Sequence, residues 1–261
     1  MKRRDRTKKI LDLLRHENGQ PVQMLAVQLG VSHMTVRRDL EKMVQDGTVR
    51  LIHGGVLLAD SARNGSQEAR YSLRDAGEKN AAYKKLIGLR AARLIVEGDS
   101  LIIDSGSTTE CLAANLPEDP ALTVLCYSLN IITETARREN ICSIFAGGDL
   151  HRNLLMFESP EGLKTMQRFR ATKAFISAAG VSREFGVTCM NSYERETKKT
   201  AIETAARKIL LADASKFGEV RSEYFADLAD LADFDTVISD SRLSEEHRDM
   251  VRELGIELVI A

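Results

Sequence analysis

The hydrophobic pattern of residues 31–43 predicts a helix with one apolar face. Val36, Leu40 and Met43 recur at i, i+4 and i+7, which places them on the same side of a helix. Ser32 precedes them at a position where its hydroxyl can cap free backbone N–H groups. At about 100° per residue, the positions that point away from the apolar side are Met34, Thr35, Arg37 and Arg38.

The flanking patterns predict a winged helix-turn-helix over residues 1–58. Residues 22–29 have the pattern of a short helix, and residues 30–32 (GVS) that of the tight turn before the next one. An apolar stripe over residues 10–14 predicts a further helix at the start. Downstream, the apolar runs 48–53 and 56–58 flank a Gly-Gly pair, which is typical of a β-hairpin.

The outer face of the predicted helix has the chemistry of a DNA-reading surface. Arginine binds guanine edges or phosphates, threonine bonds a base or touches a thymine methyl, and a helix fits the major groove. Taken alone, the same pattern also describes an ordinary solvated helix. Its place in a winged helix-turn-helix favours DNA. The expected DNA-binding residues are Ser32, His33, Met34, Thr35, Arg37 and Arg38, with Arg50 and His53 on the wing.

Charge is distributed unevenly along the chain. The chain has 37 basic residues (Lys and Arg) and 38 acidic ones (Asp and Glu). The first 58 residues hold 11 of the basic and 6 of the acidic residues, which leaves 26 basic and 32 acidic residues for the rest. A basic head on an acidic body is expected of a nucleic-acid-binding module joined to another domain. The basic residues 1–9 fit a solvated tail, but ahead of this motif we expect an arm that contacts phosphates.

Length and composition limit the remaining classes. The 261 residues leave roughly 200 for a second domain with its own core. No apolar run approaches the ~20 residues of a membrane span, and the N-terminus lacks the features of a signal peptide. We therefore expect a cytoplasmic protein without membrane contact. The cysteines form no CxxC pair, so no metal, redox motif or cofactor is expected, and buried free thiols are the default for Cys111, Cys126, Cys142 and Cys189.

The second domain shows alternating strand and helix patterns. Residues 59–75 are polar and turn-forming and are interpreted as a linker, followed by an effector domain over 76–261. The predicted strands are 100–104, 122–126, 141–146, 174–177, 209–212, 236–239 and 257–260. The predicted helices include one through 86–95 and others over 129–138, 192–208 and 244–254. This alternation predicts an α/β fold with a mainly parallel, doubly wound sheet.

Polar residues follow several predicted strands, at the edge where α/β sheets bind ligands. Residues 104–109 (DSGSTT) lead directly into a helix, whose N-terminal N–H groups suit a phosphate at Ser107, Thr108 and Thr109. Small polar residues after strands also serve simply as turns and caps. Together, however, a hydroxyl-binding set (Asp104, Ser128, Asn130) and a cation (Lys216) indicate a phosphorylated sugar.

Taken together and in order, these motifs resemble the DeoR family of bacterial transcriptional regulators over essentially the whole chain. The resemblance rests on residues 31–40, 53–56, 104–109, 128–130, 147–148, 194–198 (ERETK) and 213–218 (DASKFG). It implies a winged helix joined to a C-terminal domain with a fold like that of ribose-5-phosphate isomerase. It also implies a repressor of a carbohydrate or nucleoside catabolic operon that a phosphorylated sugar releases from DNA.

The resemblance also extends the expected effector site. Residues 126–130, 177–181 and 215–218 are similar to members that control deoxyribonucleoside use, which suggests a pentose or deoxypentose phosphate. At Tyr83 the chain departs from the family, where a Glu often precedes the Lys matching Lys84. The full expected set is Asp104, Gly106, Ser107, Thr108, Thr109, Ser128, Asn130, Gly147, Gly148, Arg152, Gly180, Lys198, Asp213 and Lys216.

A sugar-phosphate isomerase is the main alternative function. Isomerisation needs a positioned carboxylate or similar base beside a carbonyl. The loop 177–181 that should carry it has none, and His151 has no obvious carboxylate partner in the sequence. A purely architectural DNA binder would leave the acidic second domain unexplained. We therefore expect a regulator rather than an enzyme, acting on double-stranded operator DNA as a homo-oligomer, a dimer or tetramer, that places two recognition helices on successive half-sites.

Overall fold

The computed structural model describes residues 3–16, 20–52, 55–58, 72–191, 193–218 and 226–261. The N-terminal unit contains the helices α1 (Arg3–His16), α2 (Val22–Leu29) and α3 (His33–Gln45). Its strands β1 (Gln20–Pro21), β2 (Val49–Ile52) and β3 (Gly55–Leu58) form an antiparallel sheet in the order β1-β3-β2. The predicted helix-turn-helix and hairpin are confirmed, and β1 is a short third strand that the sequence did not predict.

Local chemistry explains the turn between α2 and α3. Gly30 adopts the left-handed conformation (φ 63°, ψ 36°) that favours glycine at a helix C-terminus. Ser32 caps α3, because its side-chain oxygen accepts a hydrogen bond from the backbone N–H of Thr35 at 3.3 Å. Behind the turn, Val36 and Leu40 are fully buried in a cluster shared with α1, α2, β2 and β3. The predicted apolar face of α3 is therefore the core face.

Two arginines expected in a phosphate-binding arm also serve the fold. Helix α1 already begins at Arg3, and both Arg3 and Arg6 pair with the carboxylate of Asp39 on α3. The Asp39 side chain is only 4% exposed, so this ion pair fastens α1 to α3. Arg3 and Arg6 thus belong to a packed helix, while contact of residues 1–9 with phosphates stays a prediction. Residues 1 and 2 and His53, which we expected to touch DNA, lie outside the described residues.

The second unit begins with α4 (Leu73–Glu78) and α5 (Ala81–Ala92). Its later helices are α6 (Ser107–Ala114), α7 (Leu129–Thr135), α8 (Pro160–Arg168), α9 (Glu194–Thr204) and α10 (Glu245–Glu253). Of the predicted linker, residues 59–71 lie outside the described part, while residues 73–75 belong to α4.

Seven parallel strands form the central sheet. They are β4 (Ser100–Ile103), β5 (Leu122–Cys126), β6 (Ile141–Phe145), β9 (Ala171–Ser177), β12 (Ala205–Leu211), β14 (Thr236–Ser239) and β15 (Glu257–Ile260), in the order β15-β14-β12-β9-β4-β5-β6. Every predicted strand is present, and the predicted doubly wound α/β architecture is confirmed. The strand order reverses between β4 and β9, so the crevice used by ligands in such sheets lies there.

Alternating strand residues build a hydrophobic core on each face of the sheet. On β4, Leu101 and Ile103 join one cluster, with Ile87 of α5 and Leu112 of α6. Ile102 joins the other cluster, which also contains residues of α8, α9 and α10. Because both faces are covered, successive residues such as Leu101, Ile102 and Ile103 are all apolar and buried, as expected of parallel sheets.

Several elements differ from the prediction. The helix expected over 192–208 ends at Thr204, and residues 205–208 begin β12, where Ala205 pairs with Ala171 of β9. Two small sheets were not predicted: β7 (Asp149–His151) with β8 (Met156–Glu158), and β10 (Gly180–Ser182) with β11 (Gly186–Cys189) and β13 (Ala226–Ala229). Cys142 is exposed rather than buried, because β6 is an edge strand.

Candidate functional site

The carboxylate of Asp104 lies where the strand order reverses. It follows β4 and is fully buried. Ser177, the last residue of β9, donates hydrogen bonds to its Oδ2 from the backbone N–H at 2.8 Å and from the hydroxyl at 2.7 Å. Tyr127 donates its phenolic hydroxyl to Oδ1 at 2.6 Å. Lys198 of α9 forms an ion pair with Oδ2. Both carboxylate oxygens of Asp104 are thus engaged by the protein itself.

The charged side chain of Lys198 is buried. Its side chain is 2% exposed, and its Nζ also donates to the backbone oxygen of Ser177 at 3.2 Å. A second carboxylate, Glu194 Oε2, lies 3.7 Å from Nζ. Burial favours the neutral amine, but Asp104 and Glu194 outweigh it and raise the pKa of Lys198 above its ordinary value. Lys198 therefore neutralises the floor of the crevice.

The pKa values of the other two members of the network, Glu194 and Tyr127, are shifted mainly by burial. Burial raises the pKa of Glu194, with Lys198 opposing the shift and Asp104 adding to it. Burial, followed by the charge of Asp104, raises the pKa of Tyr127 well above its ordinary value, so the phenol remains a neutral donor. Asp104 and Lys198, which we expected to bind the effector directly, are bonded to each other and to Ser177, and their contact with an effector stays a prediction.

The N-terminus of α6 opens beside this base. Gly106 is its N-cap residue, and no side chain of the described residues caps the first turn. A Cβ placed on Gly106 would lie 2.6 Å from the hydroxyl of Ser177, so glycine allows α6 to begin against the end of β9. Uncapped N–H groups and the positive end of the helix dipole favour an anion. This turn contains the predicted phosphate-binding residues Ser107, Thr108 and Thr109.

Three buried polar atoms near this helix end have no hydrogen-bond partner among the described residues: Ser105 Oγ, Ser128 Oγ and Asn130 Oδ1. The amide nitrogen of Asn130 donates to Glu110 at 3.2 Å and to the backbone oxygen of Gly106 at 3.4 Å, which fixes the side chain. Buried polar atoms of native proteins are almost always satisfied. These atoms are therefore available to a ligand or to water.

A second polar cluster lies further along the same edge, after β12 and β14. Asp213 accepts a hydrogen bond from Asn80 Nδ2 at 2.9 Å, and its other oxygen is buried without a partner in the described part of the chain. Arg242 bonds Asp240 at 2.7 Å and Asn80 Oδ1 at 3.0 Å, and stacks 3.5 Å from the ring centroid of Tyr83. Burial raises the pKa of Asp240, but Arg242 outweighs it and the pKa is lowered.

The remaining predicted effector residues are spread around these two clusters. Asp213 caps the turn that ends at Lys216, which is half-buried. Gly180 begins β10, three residues after Ser177. Gly147 and Gly148 lie against β8 and the start of α8, where a Cβ on Gly148 would clash with the carbonyl of Glu158. The Arg152 side chain is exposed in the loop between β7 and β8.

Six members of these clusters were not predicted from the sequence: Tyr127, Ser177, Glu194, Asn80, Tyr83 and Arg242. Two of them carried a usable signal, since Tyr127 follows β5 directly and Arg242 comes three residues after β14 ends. Inspecting the residues after every strand, rather than after five of them, would have found Arg242. Asn80 and Tyr83 lie on or before α5 and have no such signal.

The outer face of α3 is open to solvent. His33, Arg37 and Arg38 are exposed, and Met34 is 64% exposed although it is a large apolar residue. The hydroxyl of Thr35 lies 2.8 Å from that of Ser32 and so belongs partly to the helix cap. Arg50, on β2, is half-buried. The structure thus brings six of the eight predicted DNA-binding residues to one helix end and places Arg50 on the wing.

Neither a metal-binding cluster nor a membrane-spanning helix is found among the described residues. No group of three or more His, Cys, Asp or Glu side chains there is arranged to hold a metal ion. No helix in those ranges has both the length and the apolar character needed to cross a bilayer.

Comparison with known proteins gives consistent matches. A family model described as the DeoR C terminal sensor domain matches residues 79–241, and one described as a DeoR-like helix-turn-helix domain matches residues 6–62. The deoxyribose operon repressor of Escherichia coli (strain K12) is 31% identical over 258 residues, covering 99% of this chain and 98% of that protein. The HTH-type transcriptional regulator YulB of Bacillus subtilis (strain 168) is 31% identical over 239 residues, covering 92% and 89%. Among solved structures, ribose 5-phosphate isomerase A from Methanocaldococcus jannaschii matches with a TM-score of 0.40 at 16% identity, over 53% of this chain and 55% of that one.

Proposed function

This chain belongs to the DeoR family of transcriptional regulators, and on that premise we propose that it represses a sugar or nucleoside catabolic operon and is released from operator DNA by a phosphorylated sugar. It acts in the cytoplasm, where DNA and phosphorylated sugars occur together. The sensor domain works by binding rather than by catalysis, since its relatives are regulators and the carboxylate of Asp104 is already engaged by Tyr127, Ser177 and Lys198.

The observation that carries the effector proposal is the set of unsatisfied polar groups around the start of α6. An uncapped helix N-terminus offers donors to a phosphate. Ser105, Ser128 and Asn130 add buried hydroxyl and carbonyl oxygens without partners in the described residues. A phosphorylated sugar fits both features, because its phosphate can accept hydrogen bonds from the helix N–H groups and its hydroxyls can bond the buried oxygens. Lys198 supports anion binding indirectly, because it neutralises Asp104 below the site.

The second cluster extends the pocket toward β12 and β14. Asp213 has one buried oxygen without a partner in the described residues, which suits a sugar hydroxyl. Lys216 follows on the same turn and adds a half-buried cation to this cluster. We assign the phosphate to the α6 end and the far end of the sugar to Asp213, because a helix N-terminus attracts an anion and a carboxylate repels one.

On the DNA side, α3 is the recognition helix. Arg37 and Arg38 are exposed on the face opposite its buried residues, and neither contributes to the core of the winged helix. A homo-oligomer, a dimer or tetramer, places two such helices on successive half-sites. Binding of the sugar phosphate favours an arrangement of the oligomer in which the two helices no longer match that spacing.

The first experiment measures binding of the purified protein to its own upstream DNA at fixed salt, alone and with a panel of sugar phosphates. Because one relative is a deoxyribose operon repressor, the panel begins with deoxyribose 5-phosphate and ribose 5-phosphate and continues with hexose phosphates. We expect one compound to weaken DNA binding tenfold or more, about 1.4 kcal/mol. If DNA binds and no compound changes its affinity, the proposed effector is wrong while the regulator remains.

Matched variants separate the two sites. Arg38→Ala should abolish operator binding and leave sugar-phosphate binding intact, whereas Arg168→Ala, an exposed arginine of α8, should change neither. Ser105→Ala should raise the sugar-phosphate concentration needed for release about tenfold, the cost of a lost hydrogen bond. Ser100→Ala, at the opposite end of β4, is its control. Equal effects of Ser105→Ala and Ser100→Ala would refute the assigned site.

A further inference from the structure

Strand β3 of the wing is buried on both of its faces. On β3, Val56 and Leu58 point into the winged-helix core. Leu57 alternates to the outer face of the sheet and is not part of that core, yet it is only 2% exposed. Something other than the winged-helix core therefore covers the outer face at Leu57.

The side chain of Phe185, from the effector domain, lies on this outer face. Phe185 is in the turn between β10 and β11, is 5% exposed, and belongs to neither of the two cores that flank the parallel sheet. A Cβ built on Gly55 would lie 2.6 Å from Cε1 of Phe185 and 3.1 Å from its Cζ. Because Gly55 and Leu57 are two residues apart on one strand, their side-chain directions share a face. The Phe185 ring thus occupies space that any other residue at position 55 would fill.

The base of the same hairpin borders the candidate effector site. Strand β9 ends at Ser177, which bonds Asp104 and Lys198, and β10 begins three residues later. Val181 of β10 bridges to Phe217, and its carbonyl accepts a hydrogen bond from Gly218 at 3.1 Å, directly after the turn of Lys216. One hairpin therefore has its base beside the candidate effector site and its tip at the wing.

We propose that the β10–β11 hairpin is the surface on which the effector domain holds the wing, with Phe185 as the side chain that docks on Gly55 and Leu57. Occupancy of the site at the base of the hairpin moves its tip, and the wing moves with it. The docking contact stands independently, whereas its role as a signal route rests on the function proposed above.

The docking is tested by the reactivity of single thiols toward a maleimide. The background is Cys142→Ser with Cys111→Ala, since these two thiols are exposed or half-buried, while Cys126 and Cys189 are buried. Burial raises the pKa of Cys126 to about 12, which keeps it unreactive. Leu57→Cys should label slowly. Leu51→Cys, on the adjacent strand and 41% exposed in the parent, should label fast.

Removing the ring should open the outer face. With Phe185→Ala added, we expect Leu57→Cys to label at least tenfold faster and Leu51→Cys to keep its rate. Phe145→Ala, which truncates an exposed phenylalanine on β6, should change neither rate. Circular dichroism of each variant confirms that the winged helix remains folded. The proposal is overturned if Leu57→Cys labels as fast as Leu51→Cys while Phe185 is present, or if Phe185→Ala leaves its rate unchanged.

The signal route is tested with whichever sugar phosphate weakens operator binding. Phe185→Ala should bind DNA and that compound within about threefold of the parent, while the compound should no longer change DNA affinity. The signal route is refuted if labelling shows that the wing of Phe185→Ala is undocked and the sugar phosphate still weakens its DNA binding as in the parent. If no sugar phosphate is active in the parent, the effector proposed above is wrong, and the labelling rates still decide the docking.

Discussion

At the scale of single residues, the buried ammonium of Lys198 depends most strongly on its partners. The Lys198 ammonium is held by Asp104 and Glu194, and all three side chains are at most 4% exposed. Taking such charges out of water costs several kcal/mol each, so the network is stable only while it is complete. Its stability contribution should therefore appear when one member is removed.

We predict that Lys198→Met destabilises the protein by about 3–5 kcal/mol, since two buried carboxylates lose their counter-ion. Lys199→Met is the matched control on the same helix, because Lys199 is 46% exposed and its nearest carboxylate, Glu203, is 3.9 Å away. The control should change stability by less than about 0.5 kcal/mol. Urea unfolding of the two variants measures both values, and equal losses would contradict a special role for the buried lysine.

The raised pKa of Glu194 makes stability depend on pH. The folded protein holds the proton of this carboxyl more tightly than the unfolded chain, whose ordinary pKa is 4.5. The contribution is therefore complete below pH 4.5 and is lost as pH rises through the folded pKa. We predict that the free energy of unfolding of the parent falls across this window relative to that of Glu194→Gln. Denaturant titrations at several pH values test this, and parallel curves would refute it.

At the scale of elements, the crossing of α5 and α6 depends on one glycine. A Cβ on Gly88 of α5 would lie 2.6 Å from the carbonyl carbon of Cys111 and 2.7 Å from the nitrogen of Leu112, both backbone atoms of α6. The helices approach closely because nothing separates their backbones at this point. This approach fixes the position of α6, and with it the helix end assigned to the phosphate.

We predict that Gly88→Ala lowers stability by about 1–3 kcal/mol, since the helices must separate to admit the methyl group. Gly77→Ala, in α4, is the control, because its Cβ would meet only Ser107 Cβ at an ordinary 3.9 Å. It should be neutral or slightly stabilising, as alanine favours helices. Thermal unfolding distinguishes the two, and a tolerated Gly88→Ala would show that the helices can move apart without cost.

An element can be predicted from the sequence when burial of its own apolar side chains stabilises it, and it is missed when pairing with a distant strand stabilises it. The seven strands were predictable because their apolar side chains are buried on both faces of the sheet. Residues 205–208 were not, since their mixed composition continues the helical pattern of α9 and only pairing with β9 makes them a strand.

The candidate site was predictable in part for a related reason. Position after a strand identified Asp104, Ser128 and Asn130, because parallel strands end at one edge. It did not show that Asp104 is bonded to Lys198, Ser177 and Tyr127, since the three partners lie 94, 73 and 23 residues away from it in sequence. Residue types indicated the chemistry, while the three-dimensional packing decides which groups remain free.

At the scale of the whole molecule, the proposed DNA-binding and effector-binding residues belong to two different units of one chain. If each binding event favours a different arrangement of the protein, the two affinities are linked. We predict that operator DNA weakens sugar-phosphate binding by the same factor by which the sugar phosphate weakens DNA binding, typically ~5–150-fold. Titrations in both directions at equal salt measure the two factors, and unequal factors would contradict this linkage.

The contact between Asp39 and the first helix bears on attempts to redirect this regulator to a new target. Asp39 follows Arg37 and Arg38 directly, so one short run combines two surface residues with a structural anchor. A transplanted recognition helix without a carboxylate at that place would leave Arg6, whose side chain is 11% exposed, without this counter-charge. Exchanging only the outward positions keeps the anchor and alters what the helix reads. Retargeting this scaffold is therefore a matter of editing a surface, since the helix itself is not an interchangeable part.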